Sequence, residues 1–445
     1  MNQEQNLTQG NVLKTLLAFT IPFIIANVIQ ALYGAVDLFV ISRYCSPESV
    51  AAVSTGTQVT QIITSMITGL TLGSTIMVGK YTGMNNREEV RKTIGTTLSV
   101  FAVVALILTG VMLLFVGRIL ELLKTPEQSF DLARQYVVIC SCGIFFICGY
   151  NAISAILRGY GDSKRPMVFI ALSCVLNIIG DVVLVKYAGL GVAGVALATI
   201  GSQAVSMVCA IIYLNRRQFI FTFRLQNLKI DRERLRELAV VGIPISLQEC
   251  MVRLSFLYLT SVTNRLGVFA AAAVGIASKS DVFAMLPATS TANALAAVTA
   301  QNYGAGKPER ARASLGAGVG FALAASALFW LWAQLSPQTM MGLFTRDQAI
   351  ISAGIPFFKS CSYDYLAVSI VFCLNGYLNG RGKTIFTMIS SSFGALALRM
   401  PLIYVVFTYW PDNLLRIGAV APTVSGFTAL YTLIFVLYLV GKERK

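Results

Sequence analysis

Twelve apolar runs, each of 22 residues or more, fill this chain near residues 14–42, 49–79, 93–117, 129–157, 166–187, 190–214, 239–264, 269–301, 313–334, 349–379, 384–410 and 417–440. A helix of about 20 apolar residues crosses the hydrocarbon core of a bilayer. Lipid offers the backbone no hydrogen bonds, so each run must satisfy its own as a helix. The fold class is therefore an all-α polytopic membrane protein with twelve transmembrane helices. Only 12% of the 445 residues are charged, against about 25% in soluble domains. Several spans are expected to be broken by proline or glycine, with prolines 22, 166, 244, 287, 356 and 401 among the candidates.

A net charge of +15 could suggest nucleic acid, but the basic residues fall between apolar runs. The lipid bilayer is thus the expected partner, and nucleic acid is not. On the side of the N-terminus lie 23 lysines and arginines, on the opposite side 7, which places both termini in the cytoplasm of an inner (plasma) membrane protein. The polar N-terminus MNQEQNLTQGN has no basic region or cleavage site, so no signal peptide is expected. Nine cysteines form no CxxC pair, and no histidine is present. Imidazole catalysis and histidine metal ligation are excluded, and a disulfide framework has no support. Without metal-ligand spacing or GxSxG, an enzyme is not expected. A channel would need a ring of like residues in both halves.

The chain repeats itself. Ile21-Pro22 recurs as Ile243-Pro244, Arg43 as Arg265 and Tyr81 as Tyr303, each 222 residues later. Ala51-Ala52-Val53 recurs as Ala272-Ala273-Val274, and the loop Leu157–Gly161 as Leu378–Gly382, 221 later. A register held over five landmarks is a duplication. Two halves of six spans insert the same way up, related by a pseudo-twofold axis along the membrane normal, with a site expected between them. The expected domains are an N-lobe over 1–215, a cytoplasmic linker over 216–237, read as a solvated crossover helix, and a C-lobe over 238–445.

The halves differ where it matters. Asp37, Asn177 and Asp181 correspond to Leu259, Leu398 and Leu402. Asn177 and Asp181 are four apart and share a helix face. A carboxylate in mid-membrane costs about 2.5–3.5 kcal/mol on insertion scales and is seldom kept there without a task. Asp37 lies six residues before Arg43 and Asp181 five before Lys186, so both acids sit about 8–9 Å inside the outer boundary. Two acids at one depth can share a proton or a sodium ion, whose hard charge suits Asp, Asn, Thr and carbonyl oxygens. In the second half, Glu249 and Arg253 are expected to pair. Lys279, Asp281, Asp364 and Arg399 are read as neutralising one another before any coupling role.

The Leu-Tyr-Gly-Ala-Val-Asp37 stretch, the LRGYGDSKRPM loop at 157–167 and the spacing of Asp37, Tyr136, Asn151, Asn177, Asp181 and Thr199 resemble the multidrug and toxic compound extrusion (MATE) transporters, within them the DinF-like branch. The resemblance covers essentially the whole chain. It implies a V-shaped pair of six-helix bundles and a drug/cation antiporter. It makes Asp37 and Asp181 the coupling acids, with Asn177 and Thr199 as further cation ligands, so that these four form a possible sodium site. Tyr136 and Asn151 would connect the network to the substrate cavity, to which Gln30 is also assigned. The Glu and Asp of the NorM-like branch fall here on Val252 and Val368, so that branch's second cation site is not implied.

The expected function is secondary active efflux of amphiphilic, cationic compounds in exchange for H+ or Na+, with no cofactor, by a monomer rocking about a central cleft. A lipid-linked precursor flippase of the wider superfamily is the alternative. It would need a strongly basic cavity for a pyrophosphate, whereas the residues that are candidates for the cleft include at least as many acids as bases.

Overall fold

The computed structural model of the protein describes residues 6–216, 219–263, 265, 267–410 and 413–443. Glu4, Arg217 of the expected linker, and Arg444 and Lys445 at the C-terminus lie outside the described residues. In chain order the helices of the first half are α1 (Val12–Tyr44), α2 (Pro47–Gly83), α3 (Arg87–Leu122), α4 (Glu127–Cys142), α5 (Ile144–Gly159), α6 (Lys164–Asp181) with a π-helical extension (Val182–Tyr187), and α7 (Gly191–Arg216). The second half holds α8 (Arg232–Thr263), α9 (Val268–Gly304), α10 (Pro308–Leu335), the short α11 (Pro337–Gly342), α12 (Gln348–Cys361), α13 (Asp364–Gly380), α14 (Thr384–Ser392), a π-helical segment (Phe393–Arg399), α15 (Met400–Tyr409) and α16 (Leu414–Glu443). Ten spans are single long apolar helices or helices carried on through a π turn, and the bent pairs α4–α5 and α12–α13 complete the twelve expected.

The breaks do not fall at the prolines. Pro22, Pro244, Pro287 and Pro356 lie inside continuous helices, Pro401 lies within the continuous span Thr384–Tyr409 just after its π-helical segment, and Pro166 sits in the first turn of α6, where a missing N–H costs little. Inside a packed membrane helix, neighbouring groups take up the carbonyl that proline frees. The chain bends instead by 48° at Gly143 and by 42° at Ser362–Tyr363. These places correspond in the duplication, since Gly143 and Asp364 are 221 apart.

Hydroxyls in hydrocarbon need acceptors. Along α2, Thr60, Thr64, Ser65, Thr68, Thr71 and Thr75 each donate to the carbonyl four residues back, at 2.7–3.1 Å. A helix rich in polar residues thereby remains compatible with the membrane.

Packing divides the chain into two compact units, one holding Ile25–Gly242 and the other Leu7–Ile24 with Ile243–Lys445. This division falls within α1 and α8, away from the expected boundaries at 215 and 238. Leu7 is buried in the second unit, where Asn302 and Arg310 donate to its carbonyl at 3.2 Å. Phe19 and Phe23 pack there with Ala288 and Leu295. Conversely, the start of α8 belongs to the first unit, because Gly242 meets Gly73 of α2 so closely that a Cβ on Gly73 would lie 3.0 Å from the Gly242 Cα. Both continuous helices that change unit, α1 and α8, do so within two residues of the paired prolines Pro22 and Pro244.

The linker is not a solvated helix. Between residue 219 and α8 its one helical element is a 3-10 turn, Leu225–Asn227. Phe221 is buried beside Ile94 and Ile156, Arg91 Nε donates to the Ile220 carbonyl at 2.8 Å, and the Asp231 N–H donates to Thr96 Oγ1 at 3.0 Å. The three aromatics Phe219, Phe221 and Phe223 gain more by packing on α3 than a helix would gain in solvent.

At one end of each unit a duplicated tyrosine holds a glutamate. Tyr81 Oη donates to Glu237 at 2.7 Å beside Arg234 and Lys80. Tyr303 Oη donates to Glu443 at 3.2 Å beside Arg312 and Arg381.

The glycines of the duplicated loop have two separate jobs. Gly159 and Gly380 let helices touch, since a Cβ would lie 2.6 Å from the Thr75 carbonyl oxygen or 2.5 Å from that of Ala296. Gly161 and Gly382 turn the chain with φ of 98° and 73°. Gly159→Ala and Gly380→Ala should each lower stability by about 1–3 kcal/mol. Gly320→Ala, facing open space on α10, should leave it unchanged or raise it by up to about 1 kcal/mol. Thermal unfolding of purified variants in detergent measures both.

Candidate functional site

Three helices of the first unit bring their polar groups together. Asp37 projects from α1, Asn177 and Asp181 from consecutive turns of α6, and Thr199 from α7. Asp37 is 3% exposed, and Asn177 and Asp181 are fully enclosed. The Asp37 carboxyl lies against Asp181, Asn177 and Thr199, and Thr199 Oγ1 donates to Asp37 Oδ2 at 3.4 Å. Asp37 Oδ1, both oxygens of Asp181 and both polar atoms of the Asn177 side chain are buried without a hydrogen-bond partner among the described residues.

Two carboxylates facing each other are all acceptor and no donor. Among the described residues no lysine or arginine lies within 4.0 Å ion-pair distance of either acid, Arg43 included. Left ionised, the cluster would hold two uncompensated charges in low dielectric, which is strongly unfavourable. A proton between the acids, or a monovalent cation on their oxygens, removes the conflict. The donor set of carboxylates, a carboxamide oxygen and a hydroxyl suits sodium. No group of three or more Asp, Glu, Cys or His side chains able to hold a metal exists among the described residues.

The local backbone serves this arrangement. α6 opens into a π-helical turn directly after Asp181, a feature that recurs at functional sites because it re-aims side chains. The Leu190 N–H donates to the Leu184 carbonyl at 3.0 Å as the chain turns into α7. Asp37 lies seven residues before the end of α1 and Asp181 six before the end of the π turn, so both remain about 10 Å inside that end of the span.

Sequence reasoning overlooked Tyr33. Its hydroxyl meets Ser202 Oγ at 2.7 Å and donates to the Thr199 carbonyl at 3.0 Å, and Ser202 donates to the same carbonyl at 2.9 Å. The signal was present, since Tyr33 precedes Asp37 by four and Ser202 follows Thr199 by three. These groups fix α7 to α1 and so hold Thr199 against Asp37.

The remaining residues named from sequence lie further out. Tyr136 is buried over Gly56, its hydroxyl 3.5 Å from Thr57 Oγ1, close enough to Asp37 to feel its charge but not bonded to it. Asn151 turns its amide to the Ile147 carbonyl of its own helix at 2.8 Å. Gln30 is exposed on α1, two turns before Asp37.

In the second unit the corresponding leucines, Leu259, Leu398 and Leu402, pack against an apolar core that includes Phe357 and Ile403. Glu249 and Arg253 do not form the expected ion pair. Arg253 is exposed, and its charge reaches Glu249 only at longer range. Asp281, Asp364 and Arg399 line one cavity, without Lys279, which is exposed.

Comparison with known proteins agrees with this layout. The chain is 26% identical over 449 residues to the probable multidrug resistance protein YoeA of Bacillus subtilis, covering 99% of this chain and 96% of that one. It is 24% identical over 392 residues to a FAD transporter of Shewanella oneidensis, covering 85% of each. Its fold matches the outward-facing conformation of a multidrug resistance MATE family transporter of the MOP superfamily with a TM-score of 0.93 at 22% identity, over 100% of this chain and 99% of that one. The MatE family model matches residues 22–183 and again 244–405, the two halves of the duplication, and the chain therefore belongs to the MatE family of multidrug efflux transporters.

Proposed function

We propose that the protein is a secondary active antiporter that expels amphiphilic, cationic compounds in exchange for H+ or Na+ at the Asp37–Asp181 cluster. The observation that carries this reading is the set of enclosed, unpartnered polar atoms on Asp37, Asn177 and Asp181, with no lysine or arginine of the described residues within ion-pair distance of the two acids. Such a site binds a cation whenever water can reach it. A bound cation cancels the negative field that holds a cationic substrate, so loading with one disfavours the other. Alternating access then converts an inward cation gradient into outward substrate movement. Both termini lie in the cytoplasm and the protein acts as a monomer.

One relative carries FAD, an anionic cargo. The absence of any lysine or arginine of the described residues within ion-pair distance of the two acids favours a cationic cargo here, and argues equally against a lipid pyrophosphate. Transport in sealed vesicles, with cationic dyes and FAD tested separately under imposed proton and sodium gradients, separates these cargoes and identifies the ion. Dye efflux driven by one of the two gradients is expected; gradient-driven movement of FAD alone would overturn the reading.

Asp37→Asn should weaken gradient-driven dye efflux by about 5- to 150-fold, the usual range of a coupling energy. Asp181→Asn should act in the same direction, and unchanged coupling in both would remove the pair from the mechanism. Tyr33→Phe deletes one hydrogen-bonding group worth about 1 kcal/mol. It should raise the coupling-ion concentration for half-maximal efflux about fivefold while leaving the maximal rate near that of the unmodified protein.

A further inference from the structure

The first unit carries a cavity that the transport reading does not use. About 580 Å³ in volume, it lies between the first turns of α3 and the linker, with Arg91, Lys92, Gly95, Phe219, Phe221 and Lys229 among its walls. Sites for small ligands run from about 300 to 1,000 Å³. The linker is tied to α3 on both sides of this space, by Arg91 Nε donating to the Ile220 carbonyl at 2.8 Å and by the Asp231 N–H donating to Thr96 Oγ1 at 3.0 Å. Between the ties it presses on α3 at Gly95, where a Cβ would lie 2.7 Å from the Asn227 carbonyl oxygen. Asn227 Nδ2 donates in turn to the Thr222 carbonyl at 2.8 Å and closes the linker into a loop.

The charge of this cavity is one-sided. Its cations are Arg91, Lys92 and Lys229, its anion Asp231. Lys92 is matched by Glu88 and Glu89 at 2.9 and 3.0 Å. Asp231 Oδ1 accepts from the Glu233 and Arg234 N–H groups, both at 3.0 Å, as the cap of α8. Among the described residues no acid lies within 4.0 Å ion-pair distance of Arg91 or Lys229, and neither the two terminal nitrogens of Arg91 nor Lys229 Nζ has a hydrogen-bond partner. A guanidinium fixed through one N–H and offering the others is suited to two oxygens of one phosphate. Position names the source of that phosphate. α3 turns Leu106, Ile107 and Leu114 outward, so this helix faces lipid, and Arg91 and Lys92 immediately precede its apolar run at 93–117. The cavity therefore sits at headgroup level, where lipid phosphates are concentrated and a soluble phosphate compound is dilute. Ile220 and Ile230 add apolar wall for the glycerol and first methylenes.

We propose that this cavity binds the headgroup of an anionic phospholipid, with Arg91 and Lys229 as the ligands of its phosphate. A zwitterionic headgroup brings a cation of its own to a space that already holds two unmatched ones, and is the poorer ligand. The bound phosphate joins α3 to Lys229, two residues before the cap of α8. The inference concerns lipid binding alone and stands whatever the protein transports.

Native mass spectrometry of the purified full-length protein in detergent counts the lipids retained during titration with phosphatidylglycerol or phosphatidylcholine. One phosphatidylglycerol should be held about tenfold more tightly than phosphatidylcholine. Arg91→Gln and Lys229→Gln should each weaken it about fivefold, the worth of one basic residue at an anionic surface, and leave phosphatidylcholine unchanged. Gly95→Ala should weaken it without altering any charge, by pushing Asn227 away from α3. Lys383→Gln, which removes an exposed lysine of the second unit, should change nothing. Equal retention of the two lipids, or an equal loss in Lys383→Gln and Lys229→Gln, would overturn the proposal. So would saturation by ATP or inorganic pyrophosphate in lipid-free detergent with no binding of phosphatidylglycerol, since the ligand would then be a soluble phosphate compound. Lys229→Gln, on an exposed side chain, keeps the test decisive should Arg91→Gln or Gly95→Ala loosen the linker.

Discussion

Two carboxylates enclosed in the membrane part of the first unit, with no lysine or arginine of the described residues within ion-pair distance, set the terms for the rest of this protein. Each would rather be neutral, and neither can donate to the other unless a proton arrives. The first unit answers with hydroxyls and a carboxamide instead of a lysine or arginine: Thr199 donates to Asp37, and Tyr33 and Ser202 hold Thr199 from behind. An arginine would have settled the charge permanently. Neutral partners leave it unsettled, and an unsettled charge is what an exchangeable ion requires.

The duplication explains why that solution could arise on one side alone. Both halves keep the devices that shape spans: bends at Gly143 and at Ser362–Tyr363, close-contact glycines at 159 and 380, positive-φ glycines at 161 and 382. These are steric requirements, and they tolerate little change. Ionisable groups are free to diverge once the scaffold is secure. The second unit accordingly fills the corresponding places with leucine and builds a different cluster around Asp281, Asp364 and Arg399.

Much of this was legible in the sequence because lipid enforces it. Span number follows from hydrophobic length, and the pairing of the halves from offsets of 221 and 222. Equal depth put Asp37 and Asp181 in one layer of the membrane, and the four-residue spacing put Asn177 on the same face as Asp181. What escaped was what depends on tertiary packing. Pro22, Pro244, Pro287 and Pro356 read as breakers but lie in continuous helices, as prolines in membrane spans can. The linker's charges read as a solvated helix, yet its three phenylalanines bind it to the first unit. Tyr33 was passed over because a tyrosine in an apolar helix is ordinary until its hydroxyl is seen to reach another helix.

The division into units adds a mechanical point that hydropathy alone could not supply. Asp37 lies on a helix whose first turns, from Val12 to Ile24, pack in the second unit, while Asp37 itself packs in the first. α8 does the converse, starting in the first unit and carrying Ser255, the partner of Arg399, in the second. Each ionic cluster is therefore touched by a continuous helix that is anchored in the other unit. The same helix carries Leu16, Phe19 and Phe23 in the second unit's core. Coupling needs an element with two arrangements that both sites can bias. Helices that belong to both units, with prolines within two residues of the crossing, are the elements of this fold best placed to supply it.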